Sequence, residues 1–172
     1  MNLVALDFET PDNGRDSACA IGLVRIVDGL VVAEADYLIR PPRREILYTG
    51  IHGLAWPDLA DAPVFAELWP ALADFISGAD YLVAHNAGFD RGVLNACCDA
   101  AGVPPPDMPW LCTVKLARQV WNIRPTKLPD VCRYLVIPLQ HHNHASDANA
   151  CAQIVVAALE DEFDVTTAQM KQ

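Results

Sequence analysis

Basic residues are scarce in this chain of 172 residues. Lys and Arg together number 12 against 22 Asp and Glu, which gives a formal net charge of −10. Proteins that coat DNA without regard to sequence need many basic side chains to release counterions, so the composition argues against that class. Internal repeats and low-complexity segments are also missing. Hydrophobic residues make up 52% of the chain and charged residues 20%, which excludes a disordered or coiled-coil protein.

Long apolar runs are missing as well, because charge or proline interrupts every stretch that could span a bilayer. Residues 1–10 lack a basic region and carry two acids by position nine, unlike a signal peptide. None of the six cysteines forms a C-x-x-C pair, which argues against zinc-ribbon and redox motifs. We therefore expect a cytoplasmic protein with buried, reduced thiols and no membrane association.

The first forty residues predict an antiparallel meander of three strands. Residues 2–8 are apolar on both faces, as expected of a central strand, and residues 18–27 and 30–38 are rich in β-forming side chains. Asp28 and Gly29 separate the second strand from the third. This pair favours a two-residue hairpin turn, which requires positive φ at both positions.

Helices and strands alternate after the meander. The expected order is a helix with apolar residues from Phe65 to Ile76, a strand at 80–84, a helix ending near Gly102, a strand at 110–113, helices near 114–121 and 129–136, and a last helix. Pro63 suits the first turn of the first of these helices, and Pro70 predicts a kink or a late start there. Ser146 is expected to cap the last helix.

This pattern predicts a single α/β domain over residues 1–172, with a mixed five-stranded sheet flanked by helices. The core is expected to span about residues 1–160. Residues 161–172 are acidic and then polar, and they are expected to fray.

Four acidic residues stand at the ends of these elements. Asp7 and Glu9 are two positions apart at the end of the first strand, so their side chains share a face. Asp90 follows the fourth strand, and Asp147 lies in the first turn of the last helix. Two carboxylates about 4 Å apart repel by roughly 1 kcal/mol in water and about four times that near a protein surface. Hard divalent cations such as Mg²⁺ or Mn²⁺, which prefer oxygen ligands, would neutralise such a cluster.

Three histidines precede Asp147. His142 stands five residues before it, where an imidazole could reach a water molecule on a metal and accept its proton. His141 and His144 compete for this role. A zinc site and a solvated loop are the alternatives, although zinc lacks a cysteine or H-E-x-x-H partner here.

Three motifs resemble those of the DEDD exonuclease superfamily, histidine branch (DEDDh). They are D-F-E at 7–9, H-N-A-G-F-D at 85–90 and H-N-H-A-S-D at 142–147. The resemblance spans the whole chain and is nearest to the group of the epsilon proofreading subunit of bacterial DNA polymerase III, in which I-H-G at 51–53 resembles a substrate-loop feature. The sister branch has tyrosine four residues before the last aspartate, where this chain has Asn143.

The resemblance implies a ribonuclease-H-like fold and a metal-dependent 3′-5′ exonuclease. Such an enzyme would release nucleoside 5′-monophosphates from single-stranded or frayed DNA by a two-metal mechanism. It implies two Mg²⁺ or Mn²⁺ ions held by the acids, with His142 as general base because its offset matches the family histidine. His144 replaces a residue that is usually small in the family, so its share in that role stays open. The implied ligands and catalytic residues are Asp7, Glu9, Asp90, Asp147 and His142, and the implied substrate contacts are Thr10, His52, Asn86 and Phe89.

Two other functions stay open. One is an RNA-directed exoribonuclease resembling oligoribonuclease or ribonuclease T, which would be distinguished by 2′-hydroxyl contacts. The other is a non-catalytic partner of a polymerase or of nucleic acid, although no acid or histidine of the motifs is missing. The epsilon subunit carries a long tail that binds polymerase. This chain is too short for one, so we expect a freestanding enzyme or one recruited through its surface, with nucleic acid 3′ ends as its partner.

The basic residues allow two interpretations. Most of them fall in two stretches, comprising Arg40, Arg43 and Arg44, then Lys115, Arg118, Arg124, Lys127 and Arg133. Solubility and helix-surface charge form the simpler interpretation. The alternative is a rim that follows a phosphate backbone.

Overall fold

The computed structural model describes residues 1–171 and is built around a five-stranded mixed sheet. Its strands are β1 (Asn2–Glu9), β2 (Ala20–Val27), β3 (Leu30–Leu38), β4 (Tyr81–Ala84) and β5 (Trp110–Cys112). The strand order is β3-β2-β1-β4-β5, with β1, β2 and β3 antiparallel and β4 and β5 parallel to β1. Asp28 and Gly29 adopt φ of 50° and 81°, so the predicted hairpin, meander and mixed sheet are confirmed.

Helices cover both faces of this sheet. Within the described residues they are α1 (Thr49–His52), α2 (Trp56–Leu59), α3 (Phe65–Ile76), α4 (Gly88–Ala101), α5 (Thr113–Val120), α6 (Leu128–Leu135), α7 (His144–Glu160) and a short 3₁₀ helix (Val165–Ala168). One core lies between the sheet and α3 and α4, and the other between the sheet and α5, α6, α7 and the 3₁₀ helix. None of the helices in residues 1–171 is long and apolar enough to cross a bilayer.

The alternation along β1 determines which face its acids use. Leu3 and Ala5 are buried in the core beneath α7, whereas Phe8 is buried in the core beneath α4. Side chains two positions apart on a strand share a face, so Asp7 and Glu9 continue the row of Leu3 and Ala5. Both acids therefore face the layer that contains α7.

Pro70 predicts a kink or a late start of α3, and the late start is wrong. The helix begins at Phe65 and continues to Ile76, and Pro63 precedes the first turn instead of lying within it. Pro70 lacks the amide that would donate to the carbonyl of Ala66. Both residues are exposed, so water can bond to that carbonyl, which explains why the helix continues through the proline.

The cap predicted for α7 is also wrong. The N-cap is Asn143, whose side-chain oxygen accepts a hydrogen bond from the amide of Ser146 at 3.0 Å. The Ser146 hydroxyl instead accepts from the amide of Gln140 at 2.8 Å, which stabilises the preceding turn. Asp147 lies in the first turn of α7, as predicted.

The expectation that residues 161–172 fray is wrong over most of that segment. Val165 and Ala168 are buried within the 3₁₀ helix, and the amide of Met170 donates to the carbonyl of Trp110 at 2.8 Å. These contacts place apolar side chains of an otherwise polar segment against β5 and α5. Gln172 lies outside the described residues.

The cysteines are buried thiols, as predicted. All six are free, and burial raises the pKa of Cys19 and Cys98 to about 12. The thiolate is the nucleophilic form of cysteine, so thiols held protonated near neutral pH are poor nucleophiles. The fold therefore argues against cysteine-based catalysis.

Gly22 allows α7 to approach the sheet next to Asp7. It is the β2 partner of Asp7, so the two residues lie side by side on the face that α7 covers. A Cβ added at Gly22 would lie 2.2 Å from the carbonyl oxygen of His144 and 2.9 Å from the Cα of Ala145. Because those atoms are backbone, they cannot move without displacing the first turn of α7, which carries Asp147.

We expect Gly22→Ala to lower the melting temperature by several degrees, since overpacking costs about 1–3 kcal/mol and each 1 kcal/mol shifts a domain of this size by about 2–4 °C. Gly50→Ala is the matched control, because a Cβ there meets no atom within 4 Å. Thermal unfolding followed by circular dichroism measures both variants. Equal melting temperatures for Gly22→Ala and Gly50→Ala would show that α7 does not need this glycine.

Candidate active site

Three carboxylates meet where β1 ends against the beginning of α7. Asp7 and Glu9 project from the end of β1, and Asp147 projects from the first turn of α7. One carboxylate oxygen of each residue lies within 4.8 Å of the others. Glu9 and Asp147 are buried and Asp7 is partly exposed, so the cluster opens to solvent on the Asp7 side.

Asp90 reaches the same place from the opposite face of the sheet. It lies in the first turn of α4 and is 2% exposed, and its Oδ1 accepts a hydrogen bond from the amide of Phe8 at 3.0 Å. Of the four predicted acids, three therefore converge within 4.8 Å. The fourth is bonded to the backbone between Asp7 and Glu9, because its helix packs on the other side of β1.

Burial and mutual repulsion raise the pKa values of this cluster. The pKa of Asp7 lies well above its usual range, chiefly through desolvation, and the neighbouring carboxylates add to the shift. The pKa of Glu9 is raised to about 8 by desolvation and then by the charges of Asp147 and Asp90. Desolvation raises the pKa of Asp90 to about 7 in spite of its bond from the Phe8 amide. The cluster therefore favours either bound protons or a compensating cation.

The two oxygens of Asp147 have different surroundings. Its Oδ2 accepts a hydrogen bond from the amide of His142 at 3.1 Å and lies 3.0 Å from Nδ1 of His141. Its Oδ1 is buried and has no hydrogen-bond partner within residues 1–171. A buried carboxylate oxygen without a donor is costly, and a donor set of carboxylate oxygens suits Mg²⁺ or Mn²⁺. The residues present therefore fit a divalent cation.

The histidines before α7 divide into two groups. The rings of His141 and His142 are exposed and stack with centroids 3.8 Å apart, and both lie within 4.8 Å of Asp147. His142 adopts φ of 67°, an uncommon backbone conformation outside glycine. His144 turns toward β3 instead, where its Nε2 lies 3.6 Å from Oδ2 of Asp36. This orientation argues against a shared role for His144 and His142.

Two of the predicted substrate contacts line a small cavity next to the end of β1. Thr10 and Phe89 border about 180 Å³ together with Asn13 and Tyr48. Phe89 is 39% exposed, so part of its ring is accessible to a ligand. Tyr48 donates a hydrogen bond to Asn13 across this cavity.

The predicted contact His52 is half-buried near Thr10. Its Nδ1 accepts a hydrogen bond from the amide of Leu54 at 3.1 Å, and its Nε2 lies 4.0 Å from Sγ of Cys19. The pKa of His52 is lowered, mainly by burial of the ring. These contacts hold the loop after α1 beside the end of β1.

The fourth predicted contact, Asn86, lines a larger cavity. This cavity encloses about 640 Å³ and reaches the cluster at Asp7 and Asp147. Its other lining residues include His85, Val114, Arg118, Arg124, Pro125, Thr126, Lys127, Leu128 and His141. Asp7 and Asp147 therefore open to the larger cavity, whereas the smaller cavity is bordered by Thr10, the residue that follows Glu9.

Known proteins resemble this chain in sequence and structure. The family model described as Exonuclease (RNase_T) matches residues 4–155. The PolC-type DNA polymerase III of Thermotoga petrophila is 31% identical over 161 residues, which cover 91% of this chain and 12% of the polymerase. Exonuclease X, solved in complex with 5′-overhanging duplex DNA, is 25% identical, with a TM-score of 0.73 and 96% of both chains covered. The chain belongs to the exonuclease family.

A further structure supports the fold of this chain. The nuclease domain of 3′hExo, a DEDDh family member bound to rAMP, aligns with a TM-score of 0.82 at 16% identity. The alignment covers 95% of this chain and 94% of the other. The predicted ribonuclease-H-like α/β fold is therefore confirmed.

The sequence interpretation of this exonuclease domain missed the role of His85. Its Nε2 lies 3.0 Å from the carbonyl of Thr126, so Nε2 donates and Nδ1 accepts from the Thr113 hydroxyl at 2.8 Å. Burial lowers the pKa of His85 to about 4, which keeps the ring neutral near pH 7. The ring thereby joins β4 to the loop before α6. Its position in the H-N-A-G-F-D motif indicated that His85 has a role in the site, but its hydrogen-bond partners lie 28 and 41 residues away in sequence.

The stability of the metal-free protein should depend on pH. A pKa of about 8 for Glu9 exceeds its ordinary value of 4.5, so the folded state binds this proton more tightly than the unfolded state. Protonated Glu9 then contributes fully to the free energy of unfolding at a pH below its pKa in the unfolded state. This contribution is lost as the pH rises through the pKa of Glu9 in the folded state. We expect the melting temperature in EDTA to fall from about pH 5 to about pH 8.5.

Glu9→Gln should flatten this decline, because it removes one of the repelling charges. Millimolar Mg²⁺ or Mn²⁺ should raise the melting temperature of the wild type near pH 8, since ions that bind only the folded state stabilise it. Glu160→Gln, at the exposed end of α7, is the control. The same pH dependence in Glu9→Gln and Glu160→Gln would contradict the electrostatic account.

Proposed function

We propose that the chain is a metal-dependent 3′-5′ exonuclease of the DEDDh type. It would act on single-stranded or frayed DNA ends and release nucleoside 5′-monophosphates. The observation that carries this proposal is the convergence of Asp7, Glu9 and Asp147 within 4.8 Å, with His142 exposed beside them. Phosphodiester hydrolysis needs charge neutralisation at phosphate and a proton acceptor for water, and this arrangement has groups for both.

The acids would hold two divalent cations, Mg²⁺ or Mn²⁺. Asp7, Glu9 and Asp147 form the first ligand set, and the buried Oδ1 of Asp147 supplies an acceptor that no described donor satisfies. Asp7 would also contact the second cation, with Asp90 acting on a metal directly or through water. When bound, such ions lower the pKa of water and stabilise the attacking and leaving oxygens.

His142 would accept the proton of the attacking water. Imidazole side chains exchange protons near neutral pH. The amide of His142 is fixed by its bond to Asp147, whereas the ring is exposed and can turn toward a substrate. Nδ1 of His141 lies against the same carboxylate oxygen, so His141 would orient Asp147.

The small cavity would bind the terminal nucleotide. Thr10 and Phe89 line it, and an aromatic ring can stack on any base, which suits digestion without sequence preference. His52 would complete the side of the site next to Thr10. Asn86 would contact the strand from the larger cavity on the other side of the acids.

DNA is the favoured substrate, and RNA is the second candidate. Exonuclease X, which this chain matches over 96% of its length, is described in complex with duplex DNA. The 3′hExo domain is described as bound to rAMP, which supports an RNA-directed activity. The match to one segment of a PolC-type polymerase supports an association with a polymerase.

Digestion of 5′-labelled oligonucleotides tests the proposed function. With Mg²⁺ or Mn²⁺ we expect a ladder that shortens one nucleotide at a time from the 3′ end. Single-stranded DNA should be digested faster than mismatched duplex, and mismatched duplex faster than paired duplex. Faster digestion of RNA of the same sequence would favour the second candidate.

Asp7→Ala is the matched control for this digestion. It should leave the labelled oligonucleotide at its full length, because Asp7 belongs to both proposed ion sites. Its melting temperature in EDTA should not fall, since a repelling charge is removed. Internal cuts would contradict an exonuclease. Binding of the oligonucleotide by the wild type without any ladder would indicate a non-catalytic partner instead.

The histidines can be ranked by substitution. We expect His142→Ala to lower kcat by about a hundredfold or more, the usual contribution of a general base. His141→Ala should cost less, and His144→Ala should cost least because its ring faces Asp36. Single-turnover rates on labelled DNA measure all three, and a retained Mn²⁺-induced rise in melting temperature shows that the ion site persists. A larger loss in His141→Ala or His144→Ala would assign the base to that residue.

A further inference from the structure

One wall of the larger cavity is basic. Arg118 on α5 and Arg124 and Lys127 in the loop before α6 line the cavity that also contains Asp7 and Asp147. The side chains of all three basic residues are exposed. Within residues 1–171, no acidic side chain forms an ion pair with any of them. This concentration of positive charge stands out in a chain whose net charge is −10.

A chain of hydrogen bonds holds this wall in place. The Thr126 carbonyl accepts from Nε2 of His85, and the buried Thr126 hydroxyl donates to the carbonyl of Ile123 at 2.8 Å. The same hydroxyl accepts from Nε of Arg118 at 2.9 Å. Thr126 is 8% exposed, so the bonds that fix the loop are mostly shielded from water. The loop that carries Arg124 is therefore tied to both β4 and α5.

The two cavities give the strand a direction. Asp7, near the end of β1, lines the larger cavity, and Thr10, which directly follows the last residue of β1, lines the smaller one. If the terminal nucleotide lies beside Thr10 and the scissile phosphate lies at the acids, the preceding nucleotides must leave through the larger cavity. Their phosphates then meet the basic wall.

We propose that Arg118, Arg124 and Lys127 bind the phosphates of nucleotides on the 5′ side of the scissile bond. This inference rests on the proposed function and extends it to the strand that remains after cleavage. The Nε–H of Arg118 donates to Thr126, and a guanidinium has four further N–H donors that can bind phosphate. Arg124 and Lys127 add charge to the lining of the same cavity, and phosphate contacts of this kind position a nucleic-acid strand.

The test compares two substrates that share the reacting phosphate. The p-nitrophenyl ester of thymidine 5′-monophosphate has one phosphodiester, and its leaving group stands where the preceding nucleotide would be. A single-stranded DNA oligonucleotide adds the 5′-side phosphates. The quantity measured is the ratio of kcat/KM for the oligonucleotide to kcat/KM for the ester.

In the double variant Arg124→Gln/Lys127→Gln, we expect this ratio to fall about tenfold, because two exposed charge contacts are lost. The salt dependence of kcat/KM for the oligonucleotide should weaken by about 1.4 in log–log slope, since each single-strand phosphate contact contributes about 0.7. Each single variant should show about half of that change in slope. The single variants keep the test valid if the double variant is unstable.

Arg133→Gln is the matched control. Arg133 lies at the end of α6, pairs with Asp130 and does not line the cavity, so its loss should leave the ratio and the salt slope unchanged. If the wild type hydrolyses both substrates and the double variant keeps the wild-type ratio and slope, this inference is wrong while the proposed function stands. If the wild type hydrolyses neither substrate, the proposed function is wrong and this inference falls with it.

Discussion

Mutual repulsion among buried carboxylates is the constraint on which the rest of this structure depends. Asp7 and Glu9 are held by the β1–β2 ladder, and Asp147 is held by α7, so the three cannot separate without breaking main-chain hydrogen bonds. Repulsion between like charges grows as the surroundings become less polar, so burial intensifies it. The raised pKa values of Asp7 and Glu9 express this conflict. A fold that maintains such a cluster is matched to a bound cation, because a protonated acid is a weaker ligand.

Contacts with main-chain atoms hold the carboxylates in place. Gly22 lets the first turn of α7 lie against β2, and the amide of His142 bonds to Asp147. The amide of Phe8 fixes Asp90 from the opposite face. Each of these contacts involves main-chain atoms, so the geometry of the site follows from how the sheet and helices pack. The chemical nature of the side chains held in this geometry then determines which reaction the site can catalyse.

The sequence predicted the parts of the site that depend on local periodicity. Alternation along a strand placed Asp7 and Glu9 on one face, and the position of Asp147 in the first turn of a helix followed from the apolar stripe of that helix. The approach of Asp90 from the other face could not be predicted, because strand alternation does not tell which helix covers which face. The two hydrogen bonds of the His85 ring were missed for a related reason, since both of its partners are distant in sequence.

The errors in the fold have physical causes of the same kind. Ser146 and Asn143 are both good N-caps, and only the turn before α7 determines which of them takes that place. Pro70 is tolerated because the carbonyl that it leaves without an amide donor is exposed. The segment after α7 is polar in composition, yet Val165 and Ala168 are buried against β5 and α5. Composition averages over a segment, whereas docking needs only a few apolar side chains in the right register.

Charge is distributed in this molecule so that acidic and basic side chains line the same cavity. A chain with a net charge of −10 repels a polyanion at long range, so binding has to depend on local features. The acids at the end of β1 can attract phosphate only through a cation, whereas the wall of Arg118, Arg124 and Lys127 can attract it directly. Under the proposed function these are separate contributions, one at the reacting phosphate and one along the strand behind it. Metal ions would then control the rate of hydrolysis, and ionic strength would act mainly on how firmly the shortened strand is retained.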